Sequence, residues 1–250
     1  MSTTSTVRLH STVLGEGRTK IIVPLMPRAS ADVAPALAAL AGQPVDIIEW
    51  RVDHVSDPEL AVGVGVALRT STALPILLTY RTDREGGLGT LDDAGYAELV
   101  ARLLRLELAD AVDVEYARSA TAVASLLDAA RAAGVPAVAS FHDFASTPGR
   151  EALLGHLRAQ DELGADVLKI AVTPRNAADV AELLAASAAA AAAFGKPLIA
   201  ISMGRLGLVS RVAGAVFGSC ATFATVGEAS APGQLPAAQL APLLEVFGRE

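Results

Sequence analysis

The chain reads as an α/β protein built on a (β/α)8 TIM barrel, and three observations carry that reading. Eight short apolar runs of strand character alternate strictly with eight helix-like segments along the 250 residues. The runs are near-continuously apolar, as parallel strands covered by helices require. Their polar residues gather at the C-terminal ends, where a barrel carries its chemistry. Eight units suit a closed barrel better than an open doubly wound sheet, and no Gly-x-Gly-x-x-Gly turn follows the first strand to favour dinucleotide binding.

Residues 7–10 and 12–14 read as a small hairpin, with Gly15-Glu16-Gly17 as a further turn; this 6–20 region is placed to plug the N-terminal end of the barrel. Strands are expected at 21–26, 46–53, 75–81, 111–116, 136–143, 167–172, 197–204 and 221–226. Helices are expected at 32–41, 57–72, 92–106, 119–133, 149–163, 175–194, 207–218 and 236–247. Asp57-Pro58, Ser119 and Thr147-Pro148-Gly149 mark starts, and Gly134, Gly164 and Gly195 mark stops. The alanine run at 187–193 is a helix face, too weakly hydrophobic to suggest a membrane span. The loop at 227–235 is small and polar, follows the last strand at the catalytic end, and is expected to act as a lid. Residues 1–250 are expected to form a single barrel domain.

Composition narrows the function. A chain with 52% hydrophobic and 19% charged residues is a folded globule rather than a disordered segment. A net charge of −7 argues against non-specific nucleic-acid binding, while local arginines leave an anionic substrate open. One cysteine, Cys220, excludes an intramolecular disulfide and a multi-cysteine metal site, and it reads as a small core residue. The His and acidic residues are scattered without short ligand spacing, so neither a metal nor a cofactor is expected. The N-terminus lacks the basic start and apolar stretch of a secretory signal, which points to a cytoplasmic protein that engages no membrane.

Lys169 is the most informative residue. It lies inside the apolar run Val167-Leu168-Lys169-Ile170-Ala171-Val172, in a chain with three lysines against seventeen arginines. A desolvated lysine can lose its proton, which arginine cannot, and a neutral amine attacks a carbonyl carbon. Taken alone it is equally a strand-end lysine snorkelling to solvent. Its company is unusual: strand ends carry Glu49, Arg51 and Asp53, then Arg81, Asp113 and Glu115, then His142 and Arg205. Alternation puts Glu49 and Arg51 on one face, and likewise Asp113 and Glu115. Asp113 and Glu115 read as groups that hold Lys169 or an arginine in place. His142 alone also reads as a satisfied core histidine, and Glu49 with Arg51 as a structural network. Together the residues suit imine chemistry: the protonated imine acidifies the adjacent carbon–hydrogen bond, His142 moves protons, and Glu85 is a candidate to fix its tautomer. Several arginines suggest a carboxylate-bearing substrate. His10, His54 and His156 have no comparable setting, and Lys20 and Lys196 read as solvated charges beside turns.

These motifs, in this order, resemble the type I 3-dehydroquinate dehydratase family over essentially the whole chain. They are Glu49-Trp50-Arg51-x-Asp53, Tyr80-Arg81-x-x-x-Glu85-Gly86-Gly87, Asp113-Val114-Glu115, Ser140-Phe141-His142-Asp143 and Lys169-Ile170-Ala171-Val172. The series continues with Ile201-Ser202-Met203-Gly204, Ser210-Arg211, Thr222-Phe223-Ala224 and Ser230-Ala231-Pro232-Gly233-Gln234. The resemblance implies that Lys169 forms the imine, that His142 is general base and acid, and that Glu85 orients it. It implies that Arg211 clamps a substrate carboxylate, that Glu49, Arg51 and Arg81 grip hydroxyls, and that Ser230 and Gln234 close over the ligand. Met203 and Phe223 are implied as apolar walls. The implied reaction is syn loss of water from 3-dehydroquinate, in the shikimate pathway, by a homodimer. Thr173 stands where the family often has Met, and Tyr80 where Phe is common. An aldolase-like Schiff-base barrel would also explain Lys169 but not the Ser-Ala-Pro-Gly-Gln loop or the Glu-Trp-Arg strand; retention of Lys169, His142, Glu85 and Arg211 together argues against a catalytically silent binding barrel.

Overall fold

Eight parallel strands follow one another around one sheet in chain order in a computed structural model, which describes residues 5–55, 57–227 and 229–247. Residues 1–4 and 248–250 of the expected domain, and Glu228 of the expected lid, lie outside the described residues. An antiparallel hairpin, β1 (Val7–Leu9) and β2 (Thr12–Leu14), comes first. The barrel strands are β3 (Lys20–Leu25), β4 (Ile47–Arg51), β5 (Ile76–Thr79), β6 (Ala111–Glu115), β7 (Ala137–Asp143), β8 (Val167–Val172), β9 (Leu198–Ser202) and β10 (Ala221–Thr225). No ladder joins β9 to β10. The seam is closed by the Leu198–Ser219 bridge, by Cys220 N–H on the Leu198 carbonyl, and by Ser219 Oγ, which accepts from Ala200 N–H and donates to the Ala221 carbonyl.

The helices form where local signals place them. α1 (Val33–Ala39) follows a 3-10 turn, Ser30–Asp32. α2 (Pro58–Ser71) opens with Pro58 in its first turn and Asp57 accepting from Glu59 N–H. α3 (Asp93–Arg105) is capped by Asp92 and α4 (Ala120–Ala133) by Ser119, while Gly134 ends α4 in the left-handed region at φ 67°. α5 (Arg150–Glu162) and α6 (Ala177–Phe194) follow, the latter capped by Asn176.

Three features depart from the expectations. The segment expected as one helix at 207–218 is α7 (Leu208–Val212) and then a 3-10 turn, Gly214–Phe217. The break lets Ser219 N–H return to the Gly214 carbonyl and brings the chain to the barrel seam. A two-residue strand β11 (Leu235–Pro236) adds to the outside of β10 before α8 (Ala237–Val246). Finally, α6 has a mean hydropathy of 1.5 and is long and apolar enough, by length and composition, to cross a membrane. In the fold it covers the barrel wall, burying Val180, Leu183, Ala186, Ser187 and Ala190.

The barrel interior is layered. Ile22, Ile47, Leu77, Ala111, Val138, Val167, Ile199 and Ala221 form an apolar floor, and Leu9 and Leu14 of the hairpin pack into the same cluster from below. The hairpin thus plugs the N-terminal end. Its tip is tied down by His10 on Asp110 at 2.7 Å, and Thr12 bonds the Asp46 carbonyl. Two residues further along, five of the barrel strands turn polar on the inward face.

Candidate active site

That change of character is set by alternation: from the floor, steps of two residues keep the same face. The second layer is Glu49, Thr79, Asp113, Ser140 and Lys169, with Ile201 and Phe223 beside them. The third is Arg51, Arg81, Glu115, His142, Ala171 and Met203. An open cavity sits over these layers. Its lining includes all eleven residues singled out from the sequence: Lys169, His142 and Glu85; Glu49, Arg51, Arg81 and Arg211; Ser230 and Gln234; Met203 and Phe223.

Lys169 is 3% exposed, so its ammonium needs partners inside the protein. Asp113 supplies one at 2.8 Å, Glu49 stands 3.8 Å away, and the Phe223 ring centroid is 4.6 Å from Nζ. Asp113 also takes Arg81 Nη2 at 2.7 Å and Ser140 Oγ at 2.6 Å. Burial alone would raise the Asp113 carboxyl, but Arg81 and Lys169 outweigh it and hold it below the usual carboxylate range. Arg81 is the hub: Nη1 reaches Glu85, Glu115 and Ser140 within 3.0–3.1 Å. Glu115 in turn accepts both Thr82 N–H and Thr82 Oγ1 at 2.7 Å. Asp113 and Glu115 therefore support the cations, as the sequence suggested. Thr79 fixes Glu49 at 3.0 Å, and Asp53 holds Arg51 through two bonds of 2.8 and 2.6 Å.

His142 Nδ1 meets Glu85 Oε2 at 2.8 Å. Burial pushes the Glu85 carboxyl up to about 8 against the pull of Arg81. Burial, with Arg81 and Lys169 adding to it, holds His142 well below its ordinary value. Both shifts disfavour charge on the pair, so burial favours the state in which Glu85 keeps its proton and donates it to Nδ1. In that state Nε2 carries hydrogen and can only donate. Loss of that proton leaves Glu85 ionised, Nδ1–H donating to it, and Nε2 free to accept.

Arg211 is 1% exposed and, among the described residues, is paired with no carboxylate. Nη1 donates to the Phe223 carbonyl and Nη2 to the Pro232 carbonyl, while Nε has no partner among the described residues. Burial lowers it to about 10, so it stays charged at neutral pH. A buried, uncompensated guanidinium is a site for an anion, and a carboxylate matches its fork. The loop around Pro232 is docked over it: Gly204 N–H bonds the Pro232 carbonyl, and a Cβ on Gly233 would lie 2.5 Å from the Gly204 carbonyl oxygen. Ser230 and Gln234 bond each other, Ser230 N–H to Oε1 and Nε2 to Ser230 Oγ, both at 3.0 Å. The pair braces the turn as well as facing the cavity, because an i,i+4 pair in a compact loop meets side chain to backbone.

Several neighbours were given no role in the sequence, although all but Phe144 lie within its motifs. Phe144, Gly86, Ala171, Ile201 and Ala231 also line the cavity. The Phe144 ring covers Gly86, where a Cβ would lie 2.3 Å from it and φ is +79°, so both space and backbone demand glycine. The repeated Gly86-Gly87 was the available signal. His156, given no chemistry, stacks on Phe141 at 3.9 Å and bonds the Tyr116 hydroxyl behind the barrel wall. Lys20 and Lys196 are not simply solvated: Lys20 Nζ holds the Glu16 and Arg18 carbonyls, and Lys196 pairs with Asp161 at 2.7 Å. Tyr80 packs on the outer wall against Tyr96 and accepts Leu91 N–H, while Thr173 donates to the Asp143 carbonyl; neither lines the cavity.

Comparison with known proteins fits this geometry. The family model described as type I 3-dehydroquinase matches residues 21–250. The 3-dehydroquinate dehydratase of Klebsiella pneumoniae subsp. pneumoniae is 40% identical over 249 residues, covering 98% of this chain and 99% of the relative. The crystal structure of type I 3-dehydroquinate dehydratase from Clostridium difficile, with covalently modified comenic acid, superposes with a TM-score of 0.93 at 33% identity, covering 97% of this chain and 98% of that one. The 3-dehydroquinate dehydratase of Geobacillus kaustophilus HTA426 does so with a TM-score of 0.94 at 32% identity, covering 98% and 97%.

Proposed function

Because the chain belongs to the type I 3-dehydroquinase family, we propose that its dehydration of 3-dehydroquinate runs through an imine on Lys169. The enzyme is a lyase of the shikimate pathway that yields 3-dehydroshikimate and water. The convergence on one cavity of Lys169, the Glu85–His142 pair and the uncompensated Arg211 carries the residue assignment.

In this reading Arg211 takes the substrate carboxylate, which compensates its buried charge. Glu49, Arg51 and Arg81 hold the ring hydroxyls, and Met203 and Phe223 flank the ring. The attacking form of Lys169 is the neutral amine, so its proton moves off before attack; Asp113 and Glu49 are the nearest carboxylates. Nζ adds to the ketone carbon, and the carbinolamine loses water to give a protonated imine. The imine draws electrons from the adjacent carbon–hydrogen bond, and His142 Nε2, free once the Glu85–His142 pair has lost its proton, accepts that hydrogen as a proton. The electron pair left on carbon expels the neighbouring hydroxyl, which leaves as water with the proton returned by His142. Hydrolysis of the imine frees Lys169 and the product. The apolar floor and the docked loop limit water around these charges. The same reading takes the protein to be one barrel unit per chain, acting as a cytoplasmic homodimer.

Incubation with 3-dehydroquinate should produce the enone absorbance of the dehydrated product, which an aldolase or a silent barrel would not give. Borohydride added during turnover should leave one ligand-sized adduct, on Lys169. An adduct on Lys20 or Lys196, or full activity with no adduct, refutes the assignment.

A further inference from the structure

We propose that Gln160 is a positioning residue for Lys169, holding the lysine's backbone from behind the barrel wall; the proposal rests on the imine reading above. Gln160 is fully buried on α5, on the same inward face as Leu153 and Leu157. An amide in that setting must find partners, and a single residue satisfies both of its ends. Lys169 N–H donates to Oε1 at 3.0 Å, and Nε2 donates to the Lys169 carbonyl at 2.9 Å.

Those two bonds act on the two peptide groups that flank the Lys169 Cα. They restrain its φ and ψ together, and so the direction in which its side chain leaves the strand. One turn earlier on the same helix, His156 stacks on Phe141, the residue before His142. Helix α5 thus packs His156 and Gln160 onto the backs of the two strands that carry reacting groups. Nζ sits at the end of a flexible chain, about 6 Å from Cα, and a rotation of roughly 10° at Cα swings it by about 1 Å. A displacement of about 1 Å can cost about a hundredfold in rate. The contact with Asp113 holds Nζ at the far end of the side chain, and Gln160 holds the near end.

The test uses Gln160→Met, which keeps the length and loses both bonds, and Gln160→Asn, whose amide is one methylene too short to span them. For Q160M, kcat should fall about ten- to a hundredfold with KM within about threefold, because substrate is still gripped by the arginines. Borohydride labelling of Lys169 should slow in parallel, while thermal unfolding stays cooperative. Gln160→Glu keeps the acceptor for Lys169 N–H and should retain more turnover than Q160M. Should Q160M not fold, Q160N gives the same reading. A folded Q160M or Q160N with kcat and labelling rate within about twofold of wild type would overturn the proposal. A Q160E enzyme no faster than Q160M would overturn it as well. Failure of the wild-type enzyme to label at Lys169 would instead overturn the imine reading, whatever the Gln160 variants do.

Discussion

Replacing Asp113 by Asn tests the buried charge network directly. Asp113 is 1% exposed and accepts from Lys169, Arg81 and Ser140 at once. Asn is the same size but uncharged, and only one of its two terminal atoms accepts. Arg81 and Ser140 both donate to Oδ1, so the amide oxygen belongs there and the NH2 group faces Lys169 Nζ, donor against donor. Two buried cations lose their shared counter-charge. Removing one partner of a buried pair costs about 3–5 kcal/mol. For a chain of this size, about 2–4 °C per kcal/mol translates that into a melting point lower by about 6–20 °C. Urea unfolding at pH 7 measures the loss, with Trp50, the single tryptophan and fully buried, as the fluorescence probe. Adding Lys169→Met removes one of the stranded cations, so the double variant should be more stable than the sum of the single changes by at least about 2 kcal/mol. A D113N protein within about 1 kcal/mol of wild type, or strict additivity with K169M, would refute the electrostatic account of this network.

Three further outcomes follow from the site. Only the deprotonated Glu85–His142 pair has Nε2 free to accept, so kcat/KM should rise with pH through the region of about 8, and Glu85→Gln should remove that limb; a flat profile from about pH 6 to 9 contradicts the protonated state of Glu85. Arg211→Gln should raise KM by about 10- to 150-fold, the equivalent of about 1.5–3 kcal/mol for charged hydrogen bonds, with a smaller effect on kcat; steady-state kinetics with unchanged KM would exclude it as the carboxylate clamp. Saturating ligand should suppress proteolytic cleavage in the 227–235 loop, and combined Ser230→Ala and Gln234→Ala should weaken that protection; equal cleavage with and without ligand leaves the loop a plain connection.

The sequence by itself determined the strand order and the barrel architecture, and its resemblance to a known family picked out the eleven cavity residues. Strand and helix periods, caps such as Asp57 and Ser119, and polar residues at strand ends are local records of which face is buried. Alternation already put Glu49 with Arg51, and Asp113 with Glu115, on one face each. The tertiary structure alone decided the partnerships. Lys169 meets Asp113 across 56 residues and Arg81 meets Ser140 across 59, and only closure of the barrel brings them within bonding distance. The same holds for the Ser219 seam, for Phe144 over Gly86, and for the raised Glu85 carboxyl beside His142, which depends on burial that no residue carries alone. Gln160 was invisible for a related reason. On a helix face of Leu153 and Leu157 it looks like a misplaced polar residue until the strand behind it shows which backbone it holds. Periodicity is a property of neighbouring residues, whereas charge pairing and protonation belong to the assembled interior, where low dielectric makes each contact count.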